Sequence, residues 1–199
     1  MKVKQFINSV FISNTYVLTE EGSNDCWVVD IGDIEPLLKY VANKKVQGLF
    51  ITHTHYDHIY GINKLIAYFP DCIVYTSEKG KEGLYSERLN FSRYHADPII
   101  FNGTHLQIVN DGDSICIFEN TEFKVLATPG HDWSCLSYYS EDSIFTGDSY
   151  IPAKKIITSF PHSNKKQATH SLNMILRLSK TRNIYPGHNN SILLDDVRK

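Results

Sequence analysis

The sequence has no run of about 18 apolar residues, and so offers no membrane-spanning helix. It has no Cys-x-x-Cys pair. Cys26, Cys72, Cys116 and Cys135 are scattered, and read as reduced thiols, mostly buried as small hydrophobes. It also lacks an excess of charge of either sign. Its 20 basic and 22 acidic residues give a formal charge of −2, which makes no electrostatic case for nucleic acid or an anionic membrane as partner. Lys2 and Lys4 open the chain, but Asn8, Ser9, Ser13, Asn14 and Thr15 break up the stretch from Phe6 to Leu18, so no apolar core of a secretory signal forms. Low-complexity segments and clear linkers are absent as well. These absences lead to the expectation of one soluble, cytoplasmic domain over residues 1–199, long enough to bury a sizeable core.

What is abundant is histidine, nine residues in all, and their placement matters more than their number. Lys2–Ile7, Thr15–Thr19 and Trp27–Ile31 read as strands, the second and third joined by the polar turn around Gly22. Asp33 reads as the cap of a short helix through Val41. Gly48–Thr52 is a short apolar run that leads into His53-Thr54-His55-Tyr56-Asp57-His58. Ile59, Ile62, Leu65, Ile66 and Phe69 then recur at helical spacing up to Pro70. Cys72–Tyr75 reads as another strand, and Glu78–Tyr94 as a helix running into a loop. From about Ile99 short strands alternate with turns: His105–Val109, Ser114–Phe118, Glu122–Ala127, Leu136–Tyr139 and Ser143–Thr146. Asn164 and Gln167 resemble a capping box before a helix His170–Ser179, and a last strand, Asn183–Tyr185, meets Pro186-Gly187-His188. Mixed strands with flanking helices in each half predict an α/β sandwich of two related halves.

The first histidine cluster lies where a strand gives way to a helix. His53 and His55, two apart on extended backbone, point to the same side, and Asp57 and His58 come immediately after. All four residue types bind Zn²⁺ or similar ions. Three more candidates each stand at a strand end beside a Gly-containing turn: His131 in Thr128-Pro129-Gly130-His131, Asp148 in Thr146-Gly147-Asp148, and His188. Taken singly, His131 or His188 reads as a turn histidine and Asp148 as a turn cap. Their joint arrangement has no such explanation.

On these residues the sequence resembles the metallo-β-lactamase superfamily. His-Thr-His-Tyr-Asp-His fills that family's H-x-H-x-D-H motif, and His131, Asp148 and His188 stand in the family's order. The resemblance implies a four-layer αββα sandwich of the α/β (α+β) class, with two divalent metals at one sheet edge. These would be zinc in the first place, with iron or manganese as alternatives. His53, His55 and His131 would hold one metal, Asp57, His58 and His188 the other, and Asp148 would bridge them. Two dications about 3.5–4 Å apart can acidify a shared water, which then attacks a carbonyl. Asp57 would orient that nucleophile and carry a proton. Asp30 matches a supporting rather than a catalytic aspartate of the family.

Within the superfamily, Asn14-x-Tyr16-Val17-Leu18, Leu89-Asn90-Phe91-Ser92, Ser171–Leu178 and Tyr185-Pro186-Gly187-His188 resemble glyoxalase II, the thioester hydrolases that cleave acyl-glutathione. The expectation is therefore hydrolysis of a small ester or acyl thioester. The alternatives are an iron-dependent persulfide dioxygenase of the same fold, using two histidines and one aspartate, or a non-enzymatic metal-binding relative. Departures concern the substrate. Only 11 residues come after His188, fewer than the helical C-terminal domain of full-length glyoxalase II needs, so that domain is not expected. Asp132, Trp133 and Ser134 replace the usual residues after His131. Lys154 and Lys155, beyond Asp148, read as a solvated pair, with contact to an anionic substrate group as the alternative. Trp27, Trp133, Tyr138 and Tyr139 read as core. A small molecule is the expected partner. Substrate-binding residues and oligomeric state have no signal.

Overall fold

The structure, a computed structural model, describes residues 1–194. The single domain expected over 1–199 extends beyond the described residues at 195–199. Two mixed sheets face each other. The first runs in the order β1(Lys2–Ile7), β2(Asn14–Thr19), β3(Asp25–Val29), β4(Lys45–Phe50), β5(Ile73–Thr76), β6(Leu106–Ile108). The second runs β11(Asn183–Pro186), β10(Ser143–Gly147), β9(Leu136–Tyr139), β8(Thr121–Ala127), β7(Ser114–Phe118). Hairpin pairings are antiparallel, whereas β3–β4–β5–β6 and β10–β11 are parallel. The parallel strands result from the helices between them, since a parallel return needs a crossover.

Three apolar clusters make the four layers visible in the residues. Successive side chains of a strand point to opposite faces. Val17, Val28, Leu49 and Val74 therefore face outward, against Ile34, Leu37 and Val41 of α1(Ile34–Val41), Ile59 of α2(Tyr56–Ile59) and Ile62 and Leu65 of α3(Ile62–Tyr68). Their neighbours Tyr16, Leu18, Trp27, Phe50 and Tyr75 face inward and meet Phe123, Val125, Tyr138 and Phe145 of the second sheet. Beyond that sheet, Ile144 and Ile184 pack on Ile175 of the long C-terminal helix Lys165–Leu178. The fold is the αββα sandwich that the resemblance implied.

Most expected elements are present with shifted ends, and several details differ. The helical pattern from Ile59 to Phe69 breaks at Tyr60-Gly61 into α2 and α3. Gly61 N–H donates to the Ile31 carbonyl there, and a Cβ on Gly61 would overlap the Gly32 carbonyl. Asp33 occupies the cap position of α1 but makes no cap hydrogen bond. Its carboxylate instead accepts from Ser9 N (2.7 Å), Ser9 Oγ (2.9 Å) and Tyr60 OH (2.6 Å), which anchors the turn between β1 and β2. The Glu78–Tyr94 segment is helical over Glu78–Leu84, designated α4, and closes in a short 3₁₀ turn, Ser92–Tyr94. Asn164 does cap its helix, accepting from Lys166 N and Gln167 N, but the helix starts five residues earlier than expected. Trp133 is not core. It lies only partly buried, stacked on His162 at 4.0 Å, with the Lys79 ammonium 4.5 Å from its ring. Tyr139 is also only partly buried, unlike Trp27 and Tyr138. Cys26, Cys72 and Cys135 are buried free thiols and Cys116 is exposed. No helix among the described residues is long and apolar enough to cross a membrane.

Candidate metal centre

All seven expected donors converge at one edge of the sandwich, although they come from four chain segments. His53 and His55 lie just beyond β4, and Asp57 and His58 in α2. His131, Asp148 and His188 lie beyond β8, β10 and β11. Their donor atoms form three groups, each within 4.8 Å: His53 with His55 and His131, His53 with His58 and Asp148, and Asp57 with His58 and His188. Asp148 stands between the two outer groups. Its Oδ2 is 3.5 Å from His131 Nε2 and 3.5 Å from His188 Nε2, and its Oδ1 is 3.6 Å from His58 Nε2. Asp57 Oδ2 lies 3.3 Å from His188 Nε2 and 3.4 Å from His58 Nε2. Six of the seven residues are buried, and His188 is partly buried.

The ring nitrogen facing away from the centre is held in most of these histidines, which fixes the tautomer and leaves the other lone pair free. His131 Nδ1 donates to the Ile157 carbonyl (3.0 Å), and His188 Nδ1 to the carbonyls of Phe11 (3.1 Å) and Ile12 (3.2 Å). A carbonyl only accepts, so each Nδ1 carries the hydrogen. His58 Nδ1 meets Asp30 Oδ2 at 2.9 Å. Thr52 Oγ1 spends its proton on the same Asp30 oxygen (2.7 Å), and so accepts from His53 Nδ1 (3.2 Å). His55 is turned the other way. Its Nδ1 points inward, 3.0 Å from His131 Nε2, while its Nε2 looks toward Asp132 Oδ2 at 3.6 Å.

This arrangement fits divalent metals. The Nε2 atoms of His53 and His58 and Oδ1 of Asp148 are buried with no hydrogen-bond partner among the described residues. Buried polar atoms left unpaired are costly, and a cation relieves them. Electrostatics agree. Burial pushes the His53 pKa well below its usual value, with the surrounding imidazoles adding to the effect. Burial opposes charge on His58, yet Asp57 and Asp30 outweigh it and lift its pKa to about 9. Burial likewise opposes charge on His188, but hydrogen bonds to Asp148 and Asp57 raise its pKa to about 10. Burial works against ionisation of Asp148, and hydrogen bonding to His188 with the charges of His58 and His131 more than reverses that, holding the carboxyl ionised. Without cations, protons on His58 and His188 balance the carboxylates.

The support explains several sequence features. Asn14 N–H donates to the Gly187 carbonyl (2.7 Å), and its Nδ2 to Pro186 O (2.9 Å), while Tyr16 OH also reaches Pro186 O (2.7 Å). The Asn-x-Tyr pattern thus holds the end of β11 that carries His188. Asn90 Nδ2 donates to Gly83 O (3.0 Å) and Ile99 O (2.9 Å), which ties off the loop that presents Phe91. Gly187 is required by close approach, since a Cβ there would overlap Asp148 Oδ1 and stand 2.9 Å from His58 Cε1.

Sequence reasoning missed three things. Asp132 registered only as a departure, yet it is buried beside His55 and accepts from Ser134 N at 2.8 Å and from Ser134 Oγ. Its position next to His131 was the available signal. The turn that holds Phe11 and Ile12 supplies carbonyls to His188, about 177 residues away in sequence, and nothing local indicates this. Both residues lie in the left-handed region, φ 51° and 59°, which costs about 1–3 kcal/mol each for bulky side chains. Finally, an aromatic cleft lies against the donors. Lys154 and Lys155 are exposed and line a concavity that also includes Asp148 and His188.

The chain belongs to the metallo-beta-lactamase superfamily, whose family model matches residues 8–188. Among relatives, a hydroxyacylglutathione hydrolase of Pseudoalteromonas translucida is 32% identical over 180 residues, covering 88% of this chain and 61% of that protein. The chain therefore spans about three-fifths of the length of this curated relative. Among solved structures, the BLEG-1 B3 metallo-beta-lactamase is 27% identical with a TM-score of 0.84, covering 96% of this chain and 93% of that one. ETHE1 from Myxococcus xanthus is 26% identical with a TM-score of 0.76, covering 96% and 76% respectively.

Proposed function

We propose that this chain is a binuclear metallohydrolase acting on a small ester or thioester, most specifically an acyl thioester of the glyoxalase II type. The observation that carries the proposal is the convergence of seven donors, with several buried lone pairs unpartnered and the opposite ring nitrogens held. His53, His55 and His131 would hold one metal, Asp57, His58 and His188 the other, and Asp148 would face both. When bound, such metals, zinc above all, acidify water and draw charge from a carbonyl oxygen. The 32% identical hydroxyacylglutathione hydrolase supports the thioester.

The chain's own residues would do the rest. Asp57 is buried, and in the metal-free protein burial disfavours its charge while His58 and His188 keep its pKa below the usual carboxylate value. Once those histidines are neutral ligands, the charge of the bound cations would keep the carboxylate ionised in their place. It therefore stays an acceptor, able to hold the attacking water by its proton and to pass that proton to the leaving group. A thiolate leaves readily, so little further acid is needed. His58 and His188 would enter the reaction neutral, as metal ligands must. Burial of the donors limits side reactions with bulk water.

The test supplies lactoylglutathione, glutathione persulfide and a chromogenic cephalosporin in parallel to zinc- and iron-loaded protein. Thiol release from the thioester without oxygen uptake is the expected result. Oxygen consumption with the persulfide, confined to iron-loaded protein and without thioester turnover, would replace the proposal with a dioxygenase. The full convergence of seven donors disfavours that reading, which needs two histidines and one aspartate.

A further inference from the structure

We infer that the acyl group this site accepts is a bulky apolar chain or ring, seated in the aromatic cleft beside the metal centre. The inference rests on the hydrolase reading above and names its substrate class.

The cleft has a volume of about 610 Å³, and its inner wall includes His55, Asp57, His131, Asp148 and His188. The outer wall is built by Phe11, Tyr56, Phe91, Tyr94, Ile157 and Phe160. Among the described residues that line it, none apart from the candidate ligands is acidic and none is a lysine or arginine, while His95 adds one further imidazole. Apolar surface begins in direct contact with the ligand imidazoles. Phe91 and Phe160 each lie 5.0 Å from the His55 ring, 5.6 Å from one another, and Phe160 also packs on His131 at 5.6 Å. The wall continues past Phe91, Tyr94 and Pro161 into a second concavity of about 560 Å³. Lys154 and Lys155 line a smaller adjoining concavity of about 190 Å³ that shares Phe11, Ile157, His131, Asp148 and His188 with the cleft, so the two ammonium groups border the same centre while the wall around Phe91, Tyr94 and Phe160 stays apolar.

Two independent observations show that these side chains are not there to build the core. Phe11, Phe91, Tyr94, Ile157 and Phe160 belong to none of the three apolar clusters that hold the sandwich together. Phe11, Tyr94 and Ile157 are 66%, 75% and 53% exposed. A concentration of exposed large apolar groups of this kind marks a binding surface. Moreover, Phe11 and Phe91 both sit at positive φ, 51° and 61°, a conformation that bulky residues avoid. The fold tolerates two strained backbones, each of which brings a phenyl ring to the same cleft. A lactoyl group or an acetyl group would leave most of this surface in water, whereas a hexanoyl or phenylacetyl group would cover it.

The experiment uses metal-loaded full-length protein and two readouts. The first is kcat/KM for N-acetylcysteamine thioesters with acetyl, butanoyl, hexanoyl and phenylacetyl groups, a series in which the thiol is constant and uncharged. A rise of about two- to fourfold per methylene is expected, the upper figure corresponding to full burial. The second is calorimetric binding of acetate, hexanoate and phenylacetate, with hexanoate at least about tenfold tighter than acetate. Tyr94→Ala and Phe160→Ala should flatten both gradients by about fivefold or more, with metal content reporting that each variant is folded. Thioester turnover with a flat or falling gradient overturns the inference and leaves the hydrolase reading standing. A binding gradient that the variants abolish, with no turnover of any thioester, supports the apolar cleft and overturns the hydrolase reading. Neither turnover nor a binding gradient overturns both.

Discussion

Oδ2 of Asp30 stands 2.9 Å from Nδ1 of His58, and the same carboxylate accepts from the backbone N–H (2.7 Å) and the Oγ1 (2.7 Å) of Thr52. One buried side chain thus ties the segment carrying His53 to the helix carrying His58. It does so from a residue with φ 53°, where aspartate is tolerated better than most. Replacing Asp30 by Asn puts an amide N–H against either Thr52 or His58, both of which donate. The variant is expected to lose about 10- to 100-fold in metal affinity. Competition with a chromophoric chelator measures it, and wild-type affinity would show that Asp30 does not orient the ligand.

Metal uptake should release protons. In the metal-free protein, burial opposes charge on His58 and His188, but their carboxylate neighbours raise the pKa values to about 9 and about 10. Ligation needs neutral imidazole. At pH 7 the two histidines should therefore give up their protons on loading, and metal affinity should climb with pH until about 10. Calorimetry in buffers of different ionisation enthalpy counts the protons.

The same raised values set the sign for stability without metal. Folded His58 and His188 hold protons that the unfolded chain, with histidine near about 6.5, has released. Their contribution is fully present below about pH 6.5 and is lost as pH rises through about 9 and about 10. Chelator-treated protein should melt at progressively lower temperature across this window. A melting temperature that rises with pH there would contradict the assigned charge balance.

Gly187→Ala introduces a Cβ into the space of Asp148 Oδ1 and His58 Cε1. It would also stand 2.9 Å from the Gly147 carbonyl carbon, at the last rung of β10 and β11, so the strain falls on the strand ends and the expected result is a folded protein with less than half of the wild-type metal content. Elemental analysis beside a circular dichroism spectrum checks it, and full metal content would show that the strand end can shift.

Ligation and proton handling should separate by mutation. His53→Ala removes a donor that belongs to two of the three groups, and should cost both metal content and turnover. Asp57→Asn keeps a weak ligand but loses the acceptor carboxylate, and should cost about 10²–10⁴ in kcat with a smaller loss of metal. Unchanged turnover in Asp57→Asn would remove Asp57 from the reaction.

The donor set was legible because its residue types are chemically distinctive and stand at strand ends marked by local pattern. His53, His55, Asp57 and His58 fall within six positions, and the turns Pro129-Gly130-His131 and Pro186-Gly187-His188 mark two more. Mixed strands with flanking helices in each half likewise led to a layered sandwich, and the near-continuous apolar runs of β2, β3 and β4 are buried on both faces. Where the pattern misled, tertiary contacts overrode local preference. At the cap position of α1 the Asp33 carboxylate bonds Ser9 in place of the helix, and Trp133 stacks on His162 in place of joining the core.

By itself, then, the sequence determined which side chains could bind metal and that strands would present them together, because periodicity and turn chemistry are local properties. Only the tertiary structure decided which ring nitrogen each histidine turns inward, since that depends on groups from distant segments: the Ile157 carbonyl accepting from His131, the Phe11 and Ile12 carbonyls accepting from His188, and the Asp132 carboxylate 3.6 Å from Nε2 of His55. It likewise decided that Phe11, Phe91 and Phe160, spread over about 150 residues, enclose one cleft. The pairing of β2, β4, β8, β10 and β11 brings these segments to a common edge, and no periodicity along the chain records which loops meet there.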